Sequence, residues 1–258
     1  MLRLAILALA GIATLVVLER VRPLRERTPV PEPRRIRRNL ALGALSLGVA
    51  GLIERPLAMG AARQVDARKL GTLQRLPTRA ARDLAAMVAL DYTVYLWHVL
   101  AHRVPFLWRF HLVHHIDREL SASTALRFHA GEMLLSVPYR LLQVRLLGVS
   151  PRALDWWQRF FFASIMFHHS NLRLPERLER PLACLLTTPR MHGIHHSQRP
   201  AERDSNWSSG LSLWDHLHGT FRLDVPQDEV PIGVAGFEIT DTRGLTASLQ
   251  LPFRAAAA

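Results

Sequence analysis

Residues 83–102, "DLAAMVALDYTVYLWHVLAH", form an apolar run that ends in two histidines. A helix of this length is about 30 Å long, which matches the hydrocarbon core of a bilayer, so the run predicts a membrane helix. His98 and His102 are four residues apart, which places both imidazoles on one face of its end. Asp91 and Tyr95 precede them on the same face. A carboxylate in such a helix is costly without a partner, so we expect both side chains to orient the histidines.

Four further apolar runs flank this helix, at 4–18, 40–53, 133–150 and 154–167. The first two predict membrane helices, although a cleaved signal peptide is an alternative for 4–18. The last two are interrupted by Pro138, Arg140 and Arg145, so a shallow interfacial hairpin competes with two full spans. The pattern predicts an all-α integral membrane protein with about four transmembrane or interfacial helices, capped by a cytoplasmic helical domain rich in histidine.

The basic residues separate the apolar runs. The formal net charge is +12, and almost all of it comes from arginine. This distribution favours loops beside a membrane over a surface that binds nucleic acid. Residues 19–40 hold eight arginines and four prolines, and they predict a cytoplasmic loop that is neither helix nor core. The connection at 54–82 holds seven basic residues but should lie outside, so charge alone does not settle the orientation.

The histidines form three groups with helical spacing. Besides the pair at 98 and 102, two triplets follow the pattern HxxHH: His111, His114 and His115, and then His192, His195 and His196. Each triplet can project three nitrogens to one side of a helix, which makes eight convergent ligands with the pair. A single zinc ion uses about four ligands, so eight indicate two metal ions. Neither triplet contains the glutamate of the zinc-protease pattern HExxH.

Other polar residues lie near these groups. Glu132 follows in "RFHAGE", and Asn206 and Asp215 lie within "DSNWSSGLSLWDHLHGT". Together with Asp91 and Tyr95, they are the candidate catalytic residues. His216 and His218 are more simply surface or core histidines. The one cysteine, Cys184, excludes an intrachain disulfide and a thiolate metal cluster.

The order of these motifs resembles the fatty acid hydroxylase and sterol desaturase superfamily of integral-membrane enzymes. "HVLAH", "HLVHH", "HGIHH" and "DSNWSSGLSLWDHLHGT" carry the resemblance, from about residue 91 to about residue 222. It implies two non-haem iron ions on the cytoplasmic side, with dioxygen and two external electrons used to oxidise an inert C–H bond of a lipid. It also implies a ninth ligand, His169 of "HHSN". The family often has proline after the histidine of "RFH", where Ala130 stands here, so we place His129 beside the ligands.

No dinucleotide fingerprint, haem motif or iron–sulfur cysteine set is present in the sequence, so a separate protein must supply the electrons. A ferredoxin, a cytochrome or a reductase would serve. A basic cytoplasmic face formed with the help of Arg103, Arg127, Arg190 and Arg199 could dock an acidic donor. The expected partners are therefore a lipid substrate, the membrane and this donor, without nucleic acid.

We divide the chain into N-terminal membrane helices with their arginine-rich loop (1–82), a catalytic domain (83–222) and a cytoplasmic tail (223–258). The principal hypothesis is a lipid hydroxylase with its histidines facing the cytoplasm. A desaturase, or an oxygenase that cleaves an ether or carbon bond, is an alternative on the same scaffold. A membrane protein that binds a divalent metal without redox chemistry is an alternative of another class.

Overall fold

A computed structural model describes residues 2–26, 32–237 and 244–254. Within these ranges the regular elements are helices, and only three isolated β-bridges interrupt the pattern, which confirms the all-α prediction. The α-helices are α1 (Leu2–Val21), α2 (Glu32–Val49), α3 (Arg55–Arg68), α4 (Arg79–Arg103), α5 (Pro105–His115), α6 (Ala130–Leu147), α7 (Pro151–His169), α8 (Glu176–Ala183), α9 (Pro189–His195), α10 (Pro200–Arg203), α11 (Leu213–His218) and α12 (Leu245–Gln250).

Helices α2 and α3 form one continuous rod, because a π-helical segment, Ala50–Glu54, joins them. One sequence expectation is therefore wrong. The segment 19–40 becomes helical from Glu32, with Pro33 in the first turn, where proline is tolerated. The connection 54–82 is helical as far as Arg68. The start of the rod is buried: Arg35 is 2% exposed and forms a 3.1 Å ion pair with Asp117.

The main apolar core lies where α3 packs against α6 and α7, and where α4 packs against the same two helices. Ala58 and Ala62 of α3 are fully buried, and they belong to one cluster with Leu90 of α4, Val144 of α6 and Trp157 of α7. Small residues let helix backbones approach closely, which is the usual way that helices pack within membranes. The core therefore fixes the rod against the helices that carry the histidines.

Two helical stretches, Pro33–Arg75 and Arg79–Arg103, are long and apolar enough to cross a membrane, judged by length and composition alone. They contain the spans expected at 40–53 and 83–102. The expected runs at 4–18, 133–150 and 154–167 lie on α1, α6 and α7. Leu52 of the rod is 82% exposed. Such exposure of leucine is compatible with a lipid-facing surface.

Candidate metal centre

Four helices bring their C-terminal ends to one place. Helices α4, α5, α7 and α9 each carry histidines in the last turn. Three of them begin with proline at the first helical positions, and Ser150 and Thr188 cap α7 and α9 through the backbone N–H groups of Ala153 and Met191. The C-terminal end of a helix carries partial negative charge, so this arrangement favours a cation at the point of convergence.

The structure brings together all nine histidines that the sequence proposes as ligands. They form two groups, and within each group the potential ligand atoms lie within 4.8 Å of one another. The first group, which we call the five-histidine group, consists of His98, His102, His111, His115 and His195; the four-histidine group consists of His114, His169, His192 and His196. Two groups of this size are compatible with two metal ions.

The ring nitrogens of the four-histidine group form a chain of close contacts. Nε2 of His169 lies 3.0 Å from Nε2 of His114 and 2.9 Å from that of His192, and Nε2 of His196 lies 3.0 Å from that of His192. The Nδ1–H group of His169 donates to the carbonyl of Ile165, so its Nε2 carries a lone pair. If all three contacts were hydrogen bonds, the one lone pair on Nε2 of His169 would have to accept twice and the one N–H of His192 would have to donate twice. A shared cation removes this conflict, because ligands of one ion lie about 3 Å apart.

The five-histidine group is oriented by acceptors behind its rings. The Nδ1–H of His98 donates to the carbonyl of Trp207 at 2.7 Å, and that of His195 donates to the carbonyl of Ser205 at 2.9 Å. A carbonyl can only accept, so Nε2 of each ring keeps its lone pair. Nε2 of His111 and of His195 is buried without a hydrogen-bond partner among the described residues. These unpaired nitrogens fit a bound metal ion.

Glu132 lies directly behind the five-histidine group. Its Oε1 accepts a 2.8 Å hydrogen bond from Nδ1 of His111, and both residues are buried. A carboxylate in this position fixes the tautomer of a metal-binding histidine and makes it more basic. Among the described residues, Glu132 alone of the candidate catalytic set forms a hydrogen bond to one of the nine histidines.

Burial keeps His114 and His195 neutral. Desolvation, followed by neighbouring histidines, lowers the pKa of His114 well below its usual value. Desolvation also lowers the pKa of His195 to about 3, against the raising effect of the Ser205 carbonyl. Neutral imidazole is the form that binds metal, so the site needs no deprotonation at neutral pH.

Asp215 and Asn206 hold the loop 205–208 behind the histidines. The carboxylate of Asp215 accepts from the backbone N–H groups of Trp207 and Ser208, at 2.8 and 3.1 Å. The side chain of Asn206 bonds to the backbone of Met191 and of Arg222. The carbonyls of this loop accept hydrogen bonds from His98 and His195. Asp215 and Asn206 therefore orient the two histidines indirectly, through the loop.

Asp91 and Tyr95 also lie one step away from the histidines. Asp91 accepts from Nε1 of Trp214 at 2.7 Å and from the backbone N–H of Leu211 at 3.0 Å. The hydroxyl of Tyr95 contacts that of Thr220 at 3.2 Å. Within the part of the chain that is described, neither side chain forms a hydrogen bond to one of the nine histidines. They connect α4 to the segment around α11.

The remaining histidines lie outside the two groups. His129 is the N-cap residue of α6, and its Nδ1 accepts a hydrogen bond from the backbone N–H of Gly131. His216 and His218 are exposed, as expected. His168 is buried against His169 and His192, with ring centroids 4.6 and 4.1 Å away.

Sequence reasoning missed Trp207 and Ser205, which act through backbone carbonyls, because a carbonyl leaves no signal in the sequence. It was also wrong about Arg127, which is fully buried and donates to the carbonyl of Val113 and to Asn39. Arg127 therefore does not contribute to a docking face. Arg103 and Arg199 are exposed, although each is paired with a carboxylate.

A cavity of about 410 Å³ adjoins both histidine groups. Histidines 98, 111, 114, 168, 169 and 192 line one end, and its walls include Val94, Trp97, Phe128, Trp157, Phe161, Phe162 and Ile165. Glu54 and Arg140 lie among the lining residues that come from the rod and from α6. The arrangement can hold an apolar molecule beside a metal centre.

Comparison with known proteins identifies one matching family and several similar proteins. The family described as fatty acid hydroxylase matches residues 84–220. Ornithine lipid hydroxylase OlsE of Rhizobium tropici is 32% identical over 168 residues, which are 65% of this chain and 49% of that protein. Alkylglycerol monooxygenase of Danio rerio is 31% identical over 143 residues, or 53% of this chain and 29% of that protein.

A third relative, cholesterol 25-hydroxylase-like protein of Danio rerio, is 30% identical over 150 residues, covering 57% of this chain and 58% of that protein. The matched regions thus span less than two thirds of each of these relatives. No solved structure matches the chain. Because the family match covers more than half of the chain and includes all nine clustered histidines, this chain belongs to the fatty acid hydroxylase family.

Proposed function

We propose that this chain is a membrane-bound non-haem diiron oxygenase that uses dioxygen and external electrons to hydroxylate a C–H bond of a lipid. The observation that carries the proposal is the position of nine clustered histidines at the end of an apolar cavity. Two of the relatives are named for oxidation of an ornithine lipid and of an alkylglycerol, and the third is named as similar to a cholesterol 25-hydroxylase, which supports a lipid as the substrate class.

The five-histidine and four-histidine groups would each hold one iron ion. Bound iron would supply the activation of dioxygen that attack on an inert C–H bond requires. The protein contributes orientation, because Glu132 and the carbonyls of loop 205–208 aim the ring nitrogens inward. The aromatic walls of the cavity exclude water and hold the lipid chain beside the histidines.

We further propose that about four transmembrane or interfacial helices hold the site in the membrane, with the histidines facing the cytoplasm. Residues 1–82, 83–222 and 223–258 would then be the membrane region, the catalytic domain and the tail.

A separate ferredoxin, cytochrome or reductase would deliver electrons at the face that contains Arg103 and Arg199. Trp108 supports this entry point, because its ring lies 4.8 Å from that of His102 and 5.3 Å from the guanidinium of Arg203.

The test combines metal analysis with product analysis. Protein purified from iron-57-fed cells should contain two coupled iron ions by Mössbauer spectroscopy, and His195→Ala should lose them. His216→Ala, which changes an exposed histidine outside both groups, should keep them.

Incubation with membrane lipids, a reduced donor and ¹⁸O₂ should place ¹⁸O in a lipid. An unsaturated product without ¹⁸O would indicate a desaturase. Zinc alone after anaerobic iron reconstitution would refute the oxygenase.

A further inference from the structure

The apolar cavity has a polar end away from the histidines. Nε of Arg140 donates to Oε1 of Glu54 at 3.3 Å, and the two side chains are only 12% and 13% exposed. Ser136 and Gln158 line the same end. Buried ionisable residues between membrane helices are costly, and they commonly mark a functional path.

This polar end lies at a definite distance from the histidines. Helix α6 carries both Glu132, which bonds to His111, and Arg140. Eight residues of helix separate them, which corresponds to about 12 Å. On α7, the eleven residues between Gln158 and His169 correspond to about 16 Å. An extended lipid segment therefore fits between the polar end and the metal centre.

The polar end holds hydrogen-bond donors that the protein does not use. The carboxylate of Glu54 accepts from Arg140 and from the hydroxyl of Ser136, and Oε1 of Gln158 accepts from Arg55. Nη2 of Arg140 and Nε2 of Gln158 form no hydrogen bond to any residue in the described ranges. The charge of Arg140 is paired with Glu54, and that of Arg55, which also lines this end, is paired with Asp155 at 2.9 Å.

Building on the proposed function, we propose that Arg140 and Gln158 bind an uncharged hydrogen-bond acceptor of the lipid substrate, such as a carbonyl or hydroxyl oxygen. The rest of the molecule extends towards the histidines, about 12 Å away. An anionic group would add an unbalanced charge in a low-dielectric site, and a purely apolar end would leave the donors unpaired. The substrate class is thus a neutral lipid with an oxygen function remote from the oxidised carbon.

The experiment measures binding without turnover. Metal-loaded protein in nanodiscs, without dioxygen or reductant, is titrated with hexadecane, 2-hexadecanone carrying ¹³C at the carbonyl, and hexadecanoate. We expect the ketone to bind about tenfold more tightly than the alkane, as for a hydrogen bond to a charged donor. The infrared stretch of its carbonyl should move to lower wavenumber. Hexadecanoate should bind more weakly than the ketone.

Two variants assign this preference to Arg140. Arg140→Met should abolish both the ketone preference and the infrared shift, and the double variant Glu54→Gln/Arg140→Met should do the same without leaving a buried carboxylate unpaired. Arg145→Met, an exposed position on the same helix, should change neither. Retained iron content shows that each variant is folded.

Preference for the ketone that persists in the folded double variant would overturn the inference, as would equal binding of ketone and alkane by the wild-type protein. Binding of the ketone through Arg140 in a protein that oxidises no lipid would keep the inference and refute the proposed function alone.

Discussion

Single residues decide which nitrogen of each ring faces the centre of the candidate site. For three rings the partner is a backbone carbonyl, which receives the Nδ1–H of His98, His169 or His195. For His111 it is the side chain of Glu132. Glu132 is therefore the position at which a side-chain substitution removes such a partner directly.

Glu132→Gln should weaken metal binding at the five-histidine group by about 10- to 100-fold, because the amide carries no charge to make His111 more basic. Competition with a chromophoric chelator measures the dissociation constant. Glu229→Gln, at an exposed position, is the matched control and should bind metal as the wild-type protein does. Equal affinity of the two variants would show that Glu132 does not support the site.

At the scale of elements, helix ends and helix contacts have different roles. The C-terminal turns of α4, α5, α7 and α9 hold the histidines, whereas the middle of α3 packs against α6 and α7 through alanines. The position of the histidines therefore depends on the close packing of α3, which carries no ligand, against the helices that position the ligands.

Ala62→Leu should destabilise the protein by about 1–3 kcal/mol, because Ala62 is fully buried and the larger side chain overpacks the contact. Gly60→Leu is the matched control on the same helix. A Cβ at Gly60 would have no atom within 4 Å, so this change should leave stability unchanged or raise it. Thermal unfolding in detergent compares the two, and equal melting temperatures would argue against tight packing at Ala62.

At the scale of the molecule, the proposed orientation places the histidine end of α4 in the cytoplasm and its start on the other side. Cys184 lies between α8 and α9 and is exposed. Thr72 precedes α4 and is also exposed. Labelling at these two positions tests on which side of the membrane each end of the proposed span lies.

A membrane-impermeant maleimide should label Cys184 in inside-out vesicles and not in right-side-out vesicles. In a Cys184→Ser background, Thr72→Cys should show the reverse pattern, because the span of Arg79–Arg103 separates the two positions. Labelling of Cys184 from the outside would invert the topology. Labelling of both positions from one side would mean that α4 does not cross the membrane.

The sequence by itself determined the helical class, the main apolar runs and the nine histidines that converge, because helical spacing and hydropathy act over short stretches of chain. It was wrong about Arg35 and Arg127, which are buried and form hydrogen bonds to Asp117 and Asn39, residues distant in sequence. Only the tertiary structure decided that loop 205–208 orients His98 and His195, and that Arg140 meets Glu54 at the far end of the cavity. The contacts of His98 with Trp207 and of Arg140 with Glu54 join residues 109 and 86 positions apart, and no local pattern encodes such pairings.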